Sequence, residues 1–309
     1  MKMKMKMRII ALLGATIVLS SGVGAQGLES VREDIVRCAA AQGVRVGISA
    51  RHLGTGVTLS INADSLFPTA SIIKLPILVE LFHQFETGRL DPMKPVELIS
   101  ANARPGSGVL QYFRGGSRLP LIDAATLMIV VSDNTATNYV LDLLGADHEA
   151  KLEAVNSRMR AIGLRQTKLL NKLYSWETKK KTAEALRFGI GVTSPGDMTL
   201  LLERIALGTL ENARSCDSMV TILRQQQDIQ MAARFLPFPE DSTLWIGNKT
   251  GSLDEVKNDV GIVSGAGGTY VYAIFADQSQ VPGEEVDNPA TLAVAKISRM
   301  LYDFLERKP

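Results

Sequence analysis

Strand-like stretches stand near both ends of this 309-residue chain, and the long middle reads as helix. Near the start, Val44-Arg45-Val46-Gly47-Ile48-Ser49 and Gly56-Val57-Thr58-Leu59-Ser60-Ile61 flank a short turn at Gly54-Thr55-Gly56, the signature of two paired strands. Late in the chain, 244–250, 260–263 and 270–275 lie at hairpin distances, with a flexible turn at 264–269 between the last two. From Ser71 to about residue 230 the apolar spacing is mostly helical, as in 72–87, 120–132, 134–144, 149–162 and 196–207. Amphipathic helices are also predicted at 28–42 and 289–306. The pattern predicts an α+β fold: one antiparallel sheet formed by both chain ends, packed with helices, and an inserted all-α lobe. The sheet lobe is expected over about 26–66 and 230–309, the helical lobe over about 67–229. One long irregular stretch is expected from about 163 to 193.

Residues 1–25 read as a secretory signal peptide. Lys2, Lys4, Lys6 and Arg8 form a basic start, Ile9 to Leu19 a short apolar run, and Val23-Gly24-Ala25 offers small residues before Gln26, the predicted mature start. The apolar run is too short to span a bilayer comfortably, and no cysteine follows it to carry a lipid. A periplasmic or secreted protein without a stable membrane anchor is therefore expected. Removing four basic residues from 34 leaves 30 positive against 32 negative charges. That near-neutral balance gives no case for nucleic-acid binding. A composition 46% hydrophobic and 21% charged fits one large domain or two lobes. Cys38 and Cys216 are too few for a disulfide scaffold, and spacing leaves a single bridge or two free thiols equally open. His52, His83 and His148 are scattered, so neither a metal nor a cofactor is expected.

The stretch Phe67-Pro68-Thr69-Ala70-Ser71-Ile72-Ile73-Lys74-Leu75-Pro76 reads as a loop turning into a helix. Positions three apart share a helix face, so the Ser71 hydroxyl and the Lys74 amine can meet. A serine needs a proton acceptor to attack a carbonyl, and a lysine serves when burial or a nearby cation lowers its pKa. Pro76 should kink or tighten the helix. Two further tripeptides raise the odds on this pair: Ser132-Asp133-Asn134 ends the run 127–131, and Lys249-Thr250-Gly251 ends a strand. The Ser-x-x-Lys pair alone is unremarkable in a chain of this length; each tripeptide is uncommon by chance, and all three motifs in this order are far rarer.

With these motifs in place, the mature chain resembles class A β-lactamases and the related penicillin-binding serine hydrolases. The likeness extends to Pro105-Gly106-Ser107-Gly108-Val109-Leu110, to 132–138 and to Thr193-Ser194-Pro195-Gly196-Asp197-Met198. The resemblance implies that Ser71 attacks an acyl carbonyl with Lys74 as proton acceptor. It implies that Ser132 relays a proton to the leaving nitrogen and that Asn134 holds the substrate's amide side chain. Lys249 and Thr250, followed by Gly251, would meet the substrate carboxylate, with Lys257 assisting. The N–H groups of Ser71 and Ser252 would form the oxyanion hole.

One element of the pattern is missing. The family places a glutamate on an irregular loop shortly before an asparagine; here Asn171 matches, but Thr167 stands where the acid is expected. Neither Thr167 nor Lys168 replaces a carboxylate base, and Glu177 and Glu184 are the acids further along that region. The resemblance therefore implies a monomeric secreted hydrolase acylated at Ser71 by a small-molecule β-lactam, with slow turnover. The alternatives are a D-Ala carboxypeptidase- or transpeptidase-like enzyme acting on cell-wall peptide and a non-hydrolysing binding or sensing module.

Overall fold

A computed structural model describes residues 21–306. Residues 1–20, which hold the basic start and apolar run of the expected export signal, lie outside the described residues. Helix α1 (Ser21–Ala41) leads into β1 (Arg45–His52) and β2 (Thr58–Ile61). At the other end come β8 (Trp245–Leu253), β9 (Val256–Gly265), β10 (Gly268–Asp277) and helix α9 (Pro289–Leu305). These strands form one antiparallel sheet in the order β2-β1-β10-β9-β8. The two ends of the chain join where β1 pairs with β10, from Arg45 opposite Asp277 to His52 opposite Tyr270.

Side chains of a strand alternate between faces, and β10 divides its residues accordingly. Tyr270, Tyr272, Ile274 and Ala276 pack beneath α1 and α9 with Ile35, Val294, Ile297 and Leu301. Val271, Ala273 and Phe275 face the larger core, which runs through the middle of the chain. Both faces are covered, so the central strands read as nearly continuous apolar runs rather than as alternating ones.

The middle of the chain begins with β3 (Phe67–Pro68) and a tight 3-10 turn (Ala70–Ile73), which runs into α2 (Lys74–Glu86). Pro76 sits in the first turn of α2, where a missing N–H breaks no helical bond. The expected tightening therefore falls just before the proline, in the turn that carries Ser71. A short pair, β4 (Pro95–Glu97) and β5 (Arg118–Pro120), precedes α3 (Leu121–Val130), α4 (Asn134–Leu143) and α5 (His148–Ala161). Asp133 and Asp147 cap α4 and α5 by accepting the N–H groups of Ala136 and Ala150.

The stretch expected to be irregular is more ordered than its sequence suggests. It holds β6 (Lys168–Leu169), α6 (Ala183–Phe188) and β7 (Gly191–Thr193), and β3-β7-β6 make a small second sheet. Strands two or three residues long carry no readable alternation. Helices α7 (Pro195–Ala206) and α8 (Ala213–Leu223) complete the order. Helix α7 starts at the Ser194 cap with Pro195 behind it and lies against β1 and β10. Cys38 and Cys216 are free thiols, in α1 and in the buried face of α8. Among the described residues, no helix is long and apolar enough to cross a membrane.

Candidate active site

Three pieces of chain meet at the edge strand β8. The first is the 3-10 turn. Ala70 is held at φ +45°, in the left-handed region that alanine rarely adopts. The turn is fixed from outside: Thr69 donates its N–H to Gly191 O at 2.9 Å, and Asn258 Nδ2 on β9 donates to Pro68 O at 2.9 Å. Gly251 on β8 lies flat against it. A Cβ at that position would stand 2.9 Å from Thr69 O and 3.1 Å from Ile72 N. Only glycine lets the strand come this close.

The second piece is the turn between α3 and α4. Ser132 has φ +52°, and its neighbour Asp133 holds the local geometry with both carboxylate oxygens. Oδ1 caps α4, while Oδ2 accepts the N–H groups of Val109 and Leu110 at 2.6 and 2.8 Å. A Cβ at Gly108 would fall 2.3 Å from that carboxylate, which explains the glycine in Pro105-Gly106-Ser107-Gly108. The Asn134 side chain bridges the same loop to the interior, donating to Pro105 O at 2.8 Å.

The third piece is Lys249 on β8. Its ammonium donates to Ser132 Oγ at 3.1 Å and to Thr250 O at 2.6 Å. From the other side, Lys74 Nζ lies 3.0 Å from the same Oγ, 2.7 Å from Ser132 O and 2.8 Å from Asn134 Oδ1. Two fully buried amines thus share one serine hydroxyl. Burial disfavours charge on both. Lys74 is pushed well below the usual lysine range by burial and then by the charge of Lys249, against a smaller pull from Asp133. Burial brings Lys249 down to about 8, opposed by Asp228 and Asp259. Burial and their mutual repulsion together disfavour charge on both amines at once. When neutral, Lys74 can give its two N–H groups to Ser132 O and Asn134 Oδ1, which leaves the lone pair for a hydroxyl proton.

Ser71, Ser132, Thr250, Ser252 and Lys257 line one open cleft of about 420 Å³. Lys257 Nζ donates to Leu253 O at 2.7 Å. Its pKa is lowered by burial against the pull of Glu284, Asp254 and Glu285. Asn171 is placed differently. Its carboxamide donates to Gly189 O and accepts the Lys180 N–H, both at 2.8 Å, and so clasps the loop between them. Thr167 is buried with its hydroxyl on Asp197 Oδ2 and Thr193 Oγ1, each at 2.8 Å. Glu184 pairs with Lys168, and Glu177 is exposed beside a different cavity. None of these four lines the cleft that holds Ser71. Among the described residues, no cluster of His, Cys, Asp and Glu could hold a metal.

Residues 28–305 match the family model described as Beta-lactamase enzyme family. The chain belongs to that family. A β-lactamase of Streptomyces albus G is 30% identical over 82% of this chain and 81% of its own length. The β-lactamase regulatory protein BlaB of Streptomyces cacaoi is 25% identical over 82% and 91%. Among solved structures, a β-lactamase from Sphaerobacter thermophilus superposes with a TM-score of 0.78 at 29% identity, covering 92% of this chain and 98% of that one. PBP-A gives 0.75 at 27%, covering 90% and 95%. The α+β architecture expected from the two ends of the sequence is the fold of these β-lactamase-family structures.

Reading the sequence as a β-lactamase relative missed the groups behind the site. Asn258 holds the turn that carries Ser71. Next to it, fully buried Asp259 accepts Asn248 Nδ2, the Ala232 N–H and the Tyr272 hydroxyl. Burial raises its pKa to about 7, only partly offset by those hydrogen bonds. A run of polar residues inside a buried strand, Lys257-Asn258-Asp259, was the available signal.

Proposed function

We propose that this chain is a serine hydrolase of β-lactamase type that is acylated at Ser71 by β-lactams and releases the acyl group slowly. The observation that carries the reading is the run Lys74 Nζ, Ser132 Oγ, Lys249 Nζ, with successive separations of 3.0 and 3.1 Å. Ser71 Oγ attacks the lactam carbonyl while a neutral Lys74 takes its proton. The developing oxyanion is held by the N–H groups of Ser71 and Ser252. The C–N bond then breaks, and the leaving nitrogen takes a proton through Ser132, which Lys74 replenishes. Lys249 keeps the cleft positive for the substrate carboxylate, with Thr250 and Lys257 beside it, and Asn134 meets the substrate amide. Asn171 acts indirectly, by holding its loop.

Hydrolysis of the resulting ester needs an activated water. Thr167 supplies no base, because its hydroxyl is engaged by Asp197 and Thr193. That placement also favours a second reading, a D-Ala carboxypeptidase- or transpeptidase-like enzyme for cell-wall peptides. A mutant of PBP-A has been solved as its acyl-enzyme complex with penicillin G. The signal-like sequence at 1–25 supports export, with the mature chain starting at Gln26.

The test is mass spectrometry after incubation with penicillin. A stoichiometric adduct on the peptide containing Ser71, lost in Ser71→Ala and persisting for many minutes, is the expected result. Absence of any adduct would sink the proposal. Rapid release of D-alanine from a wall-peptide analogue, with negligible turnover of a chromogenic cephalosporin, would replace it with the second reading.

A further inference from the structure

A second cavity of about 400 Å³ lies on the far side of the Asn134 loop, lined by Arg104, His148, Lys151, Lys172, Tyr174 and Glu177, among others. Three cations and one acid face it. Asp142 accepts Lys151 Nζ at 2.8 Å and Lys172 Nζ at 2.5 Å, which fixes both ammonium groups and leaves each with further N–H groups to give. Lys180 is paired with Glu149, so these two add no net charge nearby. His148 is the anomaly. Both of its ring nitrogens are out of contact with solvent and neither has a hydrogen-bond partner, and the same holds for Arg104 Nε. Buried polar atoms left this way are uncommon and ask for a ligand to complete them.

The cavity adjoins the cleft. A Cβ built on Gly106, which has φ +85°, would stand 3.0 Å from Asn134 Nδ2 and 3.1 Å from Tyr174 Oη. Asn134 belongs to the active site and Tyr174 to the cavity wall, so a single glycine separates them. Asn138 Nδ2 further ties the cavity's loop to α4 by donating to Leu173 O at 2.7 Å.

We propose that this cavity receives a carboxylate carried on the acyl side of the substrate, making the enzyme selective for acyl donors with an anionic arm. The inference rests on acylation at Ser71 as proposed above. The lining suits a carboxylate: two anchored ammonium groups can give it charge-assisted bonds, and a small turn of the His148 ring and the Arg104 side chain would bring their unpartnered N–H groups to the same anion. Asn134 is proposed to meet the substrate amide from which such an arm extends. Glu177 opposes binding and sets a limit on the negative charge the cavity accepts.

The experiment compares second-order acylation by carbenicillin and by benzylpenicillin, which differ by one carboxylate on the acyl side chain. The wild-type chain is expected to prefer carbenicillin about tenfold. Lys172→Met and His148→Leu should each bring the ratio near one, and Glu177→Gln should raise it. Lys168→Met, which removes a cation from the same loop outside the cavity, should leave it unchanged. Equal rates in the wild type, or a ratio that the cavity variants do not move, overturn the proposal. Inorganic phosphate separates a free anion from a substrate arm: it should slow carbenicillin and not benzylpenicillin. Phosphate that stabilises the wild type to heating without any preference between the two penicillins assigns the cavity to a free anion and overturns the arm. Acylation by neither compound overturns the hydrolase reading itself and the arm with it, a result distinct from equal acylation by both.

Discussion

Lys74 and Lys249 both approach the Ser132 hydroxyl, and in the proposed mechanism their joint titration governs acylation. Attack needs Lys74 neutral, so acylation should rise with pH as that amine, already depressed by burial and by its neighbour, loses its proton. It should then fall through about pH 8, where Lys249 loses its charge. Asp133, Asp228 and Asp259 are the acids acting on this pair. Replacing Lys249 by arginine, which stays charged throughout, should lower the rate but abolish the alkaline limb in a plot of acylation rate against pH. A limb that persists near 8 in Lys249→Arg would assign it to another group. These residues were legible in the sequence because the chemistry needs fixed residue types at short spacings. Asn258 and Asp259 were not, because their partners on β3, β10 and the 228–233 segment are distant in sequence.

At the scale of elements, the site depends on the closeness of β8 to the turn that carries Ser71. Gly251→Ala puts a methyl against Thr69 O and the Ile72 backbone, and the strand must yield. A displacement approaching 1 Å is expected to cost about 100-fold in acylation. The cost to folding should be only about 1–2 kcal/mol, so denaturant melts together with acylation kinetics separate the two effects. Acylation within threefold of wild type would show that the contact is not what positions Ser71. The long helices were readable from apolar spacing, α2 to α5 and α7 within a residue or two of their observed ends. Helix α8 went unread although Cys216, Met219 and Leu223 share its buried face. The pieces β3, β6 and β7 are too short to carry a period, and their pairing is set by tertiary contact.

Across the whole molecule, Gly47 marks the place where the sheet, the nucleophile segment and α7 converge. A Cβ there would lie 2.3 Å from the Phe67 ring and 2.9 Å from Pro195 Cγ. The Arg45 guanidinium stacks over that same ring at 4.1 Å while bonding Asp277 on β10. Gly47→Ala is expected to destabilise the protein by about 2 kcal/mol, lowering Tm by about 4 °C, which a calorimetric scan would register. An unchanged Tm would mean that Phe67 repacks freely. The union of the two chain ends was readable as a pattern of strands; its register was not. That union also bears on biosynthesis. The glycine and the amide that hold the Ser71 turn, and the Lys249 cation that reaches Ser132, all arrive on strands made last, after every helix of the middle. On the proposed chemistry, a nascent or truncated polypeptide therefore lacks these groups, and acylation should begin only when the final hairpins zip onto the first strand.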